Sequence, residues 1–107
     1  MINSILTAAG VPHHESRFPA PQPDTFAVYM DDVEAGGADG RNILHTHGYT
    51  VELYARTIAA AAAAEDALEA ELATRGIPWT KQAKYWLDDV QRYQTVYDFT
   101  TYEKRRA

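Results

Sequence analysis

A change in the spacing of apolar residues near position 56 constrains the fold of this chain more than any other feature. Before it, apolar side chains occupy every second position, at Tyr49, Val51, Leu53 and Ala55, and this period of two indicates a strand with one buried face. After it, they recur every three or four positions, at Ala61, Ala64, Leu68 and Leu72, as in a helix with one apolar stripe. The sequence therefore predicts a strand over 49–55 followed by a helix over about 60–75 that ends at Gly76.

The segments on either side of this unit predict one more helix and four more strands. Residues 11–23 contain four prolines and predict an extended crossing segment that Phe18 anchors to the core. Residues 46–48, and Asp88 with Asp89, predict turns. The predicted elements are, in order, a helix over 2–9, strands over 26–30, 41–45 and 49–55, the helix over 60–75, and strands over 83–87 and 93–99.

This order of elements, α-β-β-β-α-β-β, predicts an α+β fold. An N-terminal helix and one long helix are expected to pack on a small antiparallel or mixed sheet. The length of 107 residues predicts a single domain over 1–107. Because a domain of this size buries only a modest fraction of its surface, we expect association with further copies to add stability.

Between the first two predicted strands lies an acidic, glycine-rich segment, DDVEAGGADG at 31–40. Its composition predicts a mobile, solvated loop that becomes ordered on contact with a neighbouring subunit or partner. Its acids do not follow the spacing of a calcium-binding loop, so we expect no calcium site there. The acids concerned are Asp31, Asp32, Glu34 and Asp39.

The four histidines also predict no metal site, and the polar residues predict no catalytic centre. His45 and His47 are two apart and would share one face of a strand, but a zinc site needs two more ligands. Only His13 and His14, far away in the sequence, are available, and there is no cysteine. Polar groups are scattered rather than clustered. We therefore expect no cofactor, and a structural or interaction protein rather than an enzyme.

The charge and the apolar runs limit the classes of partner. The net charge is −5, which argues against general affinity for nucleic acid because that affinity depends on basic clusters. No apolar run approaches the roughly 20 residues that cross a bilayer, so a membrane partner is not predicted. The absence of cysteine fits a reducing compartment.

Several segments together resemble the tail completion, or tail terminator, proteins of long-tailed phages and prophages. The resemblance extends over about residues 1–103 and rests on the order and spacing of the segments. Two features depart from the family pattern, the alanines at 59–64 and the pair His13-His14. The segments that carry the resemblance are AAGVP at 8–12, FPAP at 18–21, FAVYM at 26–30, ADGRN at 38–42, YTVELYAR at 49–56, ELATRGIPW at 71–79 and YQTVYDF at 93–99.

The resemblance implies a structural virion protein without catalysis or cofactor. Such proteins form a ring of six copies that caps the tail tube and joins it to the head–tail connector or stopper protein. The implied partners are therefore other copies of the chain, the major tail tube protein and the connector, and DNA passes through the ring without specific binding. The implied location is the virion tail or neck, after assembly in the host cytoplasm.

We take eight residues as candidate contacts between subunits or with the tube. Some belong to the acidic segment, and the aromatic ones occur on strands whose two faces both carry aromatic residues. Three other functions stay open at this point: a head-side stopper or adaptor of the phage neck, a non-viral α+β binding module, and a small metal-dependent hydrolase. The eight candidate contacts are Asp31, Asp32, Glu34, Asp39, Arg41, Tyr54, Tyr97 and Phe99.

Overall fold

The predicted α+β architecture is confirmed by a computed structural model, in which two helices pack against one face of a mixed sheet. The structure describes residues 1–36 and 42–106, and it describes the side chains of residues 1–33 and 46–101. The elements are α1 (Ile2–Ala8), β1 (His13–Glu15), β2 (Thr25–Gly36), β3 (Asn42–Ala55), α2 (Ile58–Thr74), β4 (Trp79–Lys81), β5 (Tyr85–Leu87) and β6 (Arg92–Arg106). The predicted strands over 41–45 and 49–55 are one strand, β3, and the short strand β1 brings the number of strands between the helices to three.

The sheet is built around β3, which pairs with β2 on one side and with β6 on the other. The strand order is β1-β2-β3-β6-β4, and β5 also pairs with β6. All these pairs are antiparallel except β1 with β2, which are parallel. The predicted turn at Asp88 and Asp89 is confirmed, and it connects β5 to β6 as a hairpin.

Two predictions about the middle of the chain were wrong. Residues 31–36 were expected in a loop, but they continue β2, and residues 46–48 were expected in a turn, but they lie within the continuous strand β3. In the ladder, Asp32 pairs with Gly48 and Val33 with His47. Backbone hydrogen bonds to strands on both sides of β3 outweigh the local turn preference of glycine. The proline-rich segment also contains the short strand β1, which the sequence reading missed.

The core lies between the sheet and the two helices, and both predicted apolar patterns form it. Every residue of the strand pattern is at most 3% exposed. On α2, Leu68 and Leu72 are 0% exposed, so the predicted stripe is confirmed. The Thr57 hydroxyl caps the helix by accepting a hydrogen bond of 3.0 Å from the Ala60 amide. Gly76 follows the helix with φ at +69°, the left-handed conformation expected of it.

A buried arginine attaches the proline-rich crossing segment to the sheet. The Arg92 side chain donates hydrogen bonds to the carbonyls of Pro23 at 2.8 Å and Val90 at 2.6 Å, with longer ones to Gln22 and Asp24. Its guanidinium lies 5.1 Å from the centre of the Phe26 ring. Three of these carbonyls, those of Gln22, Pro23 and Asp24, come just before β2, so Arg92 fixes the end of the segment beside β6.

We expect Arg92→Met to lower the free energy of unfolding by about 2 to 3 kcal/mol, because several hydrogen bonds to a charged donor are lost. Urea denaturation measures this difference. The matched control is Arg17→Met, since Arg17 is an exposed residue of the same segment, and its midpoint should stay near that of the wild type. Equal midpoints for the two variants would show that Arg92 does not secure the crossing.

Candidate assembly surface

Three strands continue past the core to form what we call the distal sheet, residues 30–36 of β2, 42–48 of β3 and 100–106 of β6. Among the described side chains, the last hydrophobic core residues before it are Tyr49 on β3 and Phe99 on β6. The molecule is accordingly elongated, with extents of 49 × 27 × 22 Å. Among the described side chains of the distal sheet, those of Asp32, Val33 and Thr100 are exposed.

Side-chain contacts join the base of the distal sheet to the core. The Nδ1 atom of His47 lies 3.1 Å from both carboxylate oxygens of Asp31, across the β2–β3 ladder. The His47 ring stacks on Tyr49 with a centroid distance of 5.6 Å, and Tyr49 contacts Phe99 at the same distance. Burial, followed by the nearby Asp31 carboxylate, raises the pKa of Tyr49. This chain of contacts holds the base of the distal sheet in a defined orientation.

The face of the sheet away from the helices, which we call the outer face, carries an ordered layer of polar side chains. Thr50 donates a hydrogen bond of 2.8 Å to Asp98. Tyr54 donates one of 2.9 Å to Glu52 and accepts one of 3.0 Å from Gln94. The helices pack on the opposite face, so this layer is available to a partner. The outer face comprises the half-buried residues Met30, Thr50, Glu52, Tyr54, Gln94, Val96 and Asp98.

A second charged group lies between α2 and the β4–β5 segment. The Glu65 carboxylate accepts from Lys81 and Lys84, each at 2.8 Å, and from the Thr95 hydroxyl at 2.9 Å. Burial opposes the charge of Glu65, but these hydrogen bonds hold its pKa below the usual value. Next to it, Glu69 accepts from the Tyr97 hydroxyl at 2.5 Å. Burial, followed by the hydrogen bond to Glu69, raises the pKa of Tyr97 well above its usual range. This network stabilises the subunit rather than forming an open site.

The structure separates the predicted contact residues into surface and core. Asp31 and Asp32 lie on β2 in the distal sheet, Asp31 half-buried beside His47 and Asp32 exposed. Glu34 is also on β2, where the backbone alone is described, and Tyr54 lies on the outer face. Asp39 and Arg41 fall outside the described residues.

Two predicted contact residues do not lie on the surface. Tyr97 is 0% exposed and Phe99 is 5% exposed, because both face the helices and fill the core of their own subunit. Aromatic residues on both faces of the final strands predicted burial in a neighbour. One of those faces is in fact buried under α1 and α2, so neither residue is part of the candidate surface.

The sequence reading also missed residues that the structure brings together. Glu65 lies on the buried stripe of α2, three residues before Leu68 and seven before Leu72, and that spacing was a usable signal of burial. Val33 is 50% exposed on the distal sheet, although it is apolar. It was overlooked because its segment was taken for a loop.

Among the described side chains, those of residues 1–33 and 46–101, no group of three or more histidines, aspartates or glutamates is arranged to hold a metal ion, and the side chain of His45 lies outside this range. In the same part of the chain, neither helix combines the length and the apolar character needed to span a membrane.

Comparison with known proteins gives a similarity of structure. No protein-family model matches the chain, and no curated protein matches it. A chain in the solved virion of a native gene transfer agent particle has a similar structure, with a TM-score of 0.67 and 13% identical residues. The similarity covers 94% of this chain and 84% of that one. At this level of identity it shows a shared fold.

Proposed function

We propose that this protein is a structural component of a phage-like virion, which forms a ring on the end of the tail tube and joins the tube to the head–tail connector. The observation that carries the proposal is the similarity of fold, over 94% of the chain, to a chain of a virion particle. The order of sequence segments that resembles tail terminator proteins supports the same role independently. Fold alone does not fix function, so the role itself has to be tested.

The surfaces of the subunit suit a protein that functions by contact. The distal sheet and the outer face present ordered backbone and side-chain groups for partners, namely further copies of the chain, the tail tube protein and the connector. We propose six copies in the ring and no catalytic activity. The net charge of −5 suits a ring through which DNA passes, because like charges repel and limit sticking. The protein would work in the virion neck after assembly in the host cytoplasm.

The proposal predicts a defect in tail length or head joining when the protein is absent. Particles assembled without it are expected to have over-long tubes, or tubes of normal length that do not join heads, because the growing end is not closed. Electron microscopy of the particles measures both properties. Addition of purified protein should place a ring on the tube ends and restore joining.

Two outcomes would change the assignment. Tubes of normal length that join heads without the protein would contradict the tail-terminator role. Rings that bind connectors but leave bare tube ends uncapped would instead assign the protein to the head side, as a stopper or adaptor. A subunit variant that retains the fold, Ala63→Asp at an exposed position of α2, is the control for non-specific effects of substitution.

A further inference from the structure

The strand register points to a defined junction between neighbouring copies: we infer that the free edge of β2 in one copy pairs in parallel with the free edge of β6 in the next. The β2 edge is residues 30–36 and the β6 edge is residues 100–106. This inference rests on the proposed ring and identifies the surfaces that would close it.

Both edges are unpaired within the described part of the subunit. On β2, β1 covers only Ala27 to Tyr29, and the last hydrogen bond on that side runs from the Ser16 amide to the Tyr29 carbonyl. On β6, β5 covers 92–94 and β4 covers 97–99. Beyond these points, each strand is paired with β3 alone among the described residues. An exposed edge of this kind is a template for another strand.

Where β1 covers β2, the hydrogen bonds show which backbone groups of β2 point away from β3. The same alternation then tells which groups point outward on the free edge at 30–36. The Ala27 amide donates to Pro12, and the Tyr29 carbonyl accepts from Ser16, so the odd-numbered residues of β2 face away from β3. Because the direction alternates along a strand, the amides and carbonyls of Asp31, Val33 and Ala35 face the free edge.

The same reasoning applies to β6. The Val96 carbonyl accepts from the Gln82 amide, next to β4, so the even-numbered residues of β6 face away from β3. By alternation, the amides and carbonyls of Thr100, Tyr102 and Lys104 face the free edge. Each edge thus offers a regular series of donors and acceptors at every second residue.

The two edges overlap in height and match in direction. Residues 32–36 of β2 and residues 100–104 of β6 pair with the same residues of β3, 44–48. The two free edges therefore overlap over five levels of the subunit, and β2 extends beyond the overlap at one end and β6 at the other. Rotation about a ring axis preserves height, so the β2 edge of one copy meets the β6 edge of its neighbour. Since both strands are antiparallel to β3, they meet in parallel.

The net charges of the two edges are opposite in sign. The β2 edge carries Asp31, Asp32 and Glu34, whereas the β6 edge carries one acid, Glu103, and three basic residues, Lys104, Arg105 and Arg106. Pairing of β2 with a second β2 edge would place acids beside acids, which is unfavourable. The charge pattern therefore favours a head-to-tail contact between two different edges, which is the kind that closes into a ring.

The geometry of a closed sheet is compatible with six copies. Three strands from each copy would give a barrel of about 18 strands, and barrels of 16–18 strands enclose an aqueous channel. With a strand spacing of about 4.8 Å and a tilt of about 40°, its diameter is about 36 Å. Closure also removes every free edge of the distal sheet.

Proline substitution tests the junction without removing a hydrogen bond inside the subunit. In Val33→Pro, the lost amide is one that faces the free edge, and proline is tolerated on an edge strand in that orientation. We expect the variant to have a melting temperature close to that of the wild type. The fraction of tubes that it caps should fall at least about tenfold, because proline lacks the amide donor and its pyrrolidine ring projects towards the neighbouring strand. Val33→Ala is the matched control and should cap normally.

A second variant blocks the opposite edge. Thr100→Pro, with Thr100→Ala as its control, removes an outward amide from β6 and should also fail to cap. Each proline variant keeps one intact edge, so an equimolar mixture is expected to form dimers containing one copy of each variant, and no closed rings. Native mass spectrometry of the mixture at high concentration distinguishes these dimers from dimers of either variant alone.

Hydrogen exchange gives a readout that needs no substitution. In wild-type rings, the amides of Asp31, Val33 and Thr100 should exchange at least about tenfold more slowly than in free subunits, because they become bonded to a neighbour. If these amides exchange equally fast in rings and free subunits, the edge junction is refuted, whatever the stability of the proline variants.

The outcomes separate this inference from the proposed function. If the wild type caps tubes and folded Val33→Pro and Thr100→Pro cap equally well, the edge junction is wrong and the tail role stands. If the wild type self-associates without capping tubes, and Val33→Pro does not self-associate, the edge junction stands without the tail role. If the wild type neither caps nor self-associates, both are wrong.

Discussion

Leu68→Asp is expected to leave most of the protein unfolded at 25 °C. Leu68 is 0% exposed, and it packs at the centre of α2 against the helix-facing side of the sheet. The substitution removes buried apolar surface worth about 2 kcal/mol or more and adds a carboxylate that has no cation beside it. Together these should cost about 5 kcal/mol or more, which is comparable to the whole stability of a domain of this size. Circular dichroism during urea titration measures the loss.

The control for this prediction is the same substitution on the solvent side of the same helix. Ala63 is exposed in mid-helix, so Ala63→Asp introduces the same charge and should cost no more than about 0.7 kcal/mol in helix propensity. A Leu68→Asp variant that melts within a degree or two of Ala63→Asp would contradict the packing of α2 on the sheet.

Glu65→Gln is expected to produce the second largest loss, about 2 to 3 kcal/mol at neutral pH. The carboxylate is 6% exposed and accepts hydrogen bonds from two lysines and from Thr95. An amide keeps the shape but turns a donor towards the lysines, so Lys84 loses its carboxylate partner and Lys81 keeps Glu69 as a partner at 2.9 Å. We place the loss below that of a fully buried pair because Lys81 keeps 38% of its side chain exposed. Chemical denaturation at pH 7 measures it.

The loss should depend on pH in a defined direction. The pKa of Glu65 in the folded protein is below its usual value of 4.5, so the unfolded chain binds the proton more tightly than the folded one. The ion pair therefore contributes fully above about pH 5 and is lost as the pH falls through the folded pKa. We expect the free energies of unfolding of the wild type and Glu65→Gln to differ most at neutral pH and to converge below about pH 4.

An exposed ion pair on the same helix supplies the control. Glu71 pairs with Arg75 at 3.2 Å near the end of α2, and pairs of this kind contribute about 0.3–0.5 kcal/mol. Glu71→Gln should therefore cost much less than Glu65→Gln at pH 7. If the two variants are equally stable, the Glu65 network does not hold β4 and β5 to the helix.

Strands and helices that show their own apolar period could be predicted from the sequence. The length of a strand and the burial of a polar side chain could not, because they depend on elements that are distant in sequence. The strand over 49–55 and the helix stripe ending at Leu72 were predicted because each shows its own period over several residues. The distal half of β3 was missed because Gly48 and its neighbours favour a turn locally. Its extended form depends on β6, which is remote in sequence. Burial of Glu65 likewise depends on Lys81 and Lys84, which come from another element.

The candidate surface was predicted only in part, for the same reason. Asp31 and Asp32 were selected by charge, and both lie on the distal sheet. Tyr97 was selected by aromatic character, but whether an aromatic residue on a strand faces a helix or a partner depends on which face the helices cover. No local pattern contains that information. Two faces of similar composition can be told apart only when the packing of the helices is known.

The topology of the sheet also has a consequence for the order of folding. The residues of β2 and β3 are near neighbours in sequence, so their hairpin closes a short loop, whereas pairs between β3 and β6 are separated by roughly 40 to 60 residues. We expect the hairpin and α2 to form before β6 docks, so that docking of β6 is the slow kinetic step. Substitutions that weaken the β3–β6 pairing should then slow folding as well as speed unfolding, because this pairing forms in the slow step. Until β6 docks, a folding chain exposes the second edge of its central strand, and it is most prone to aggregate in that interval.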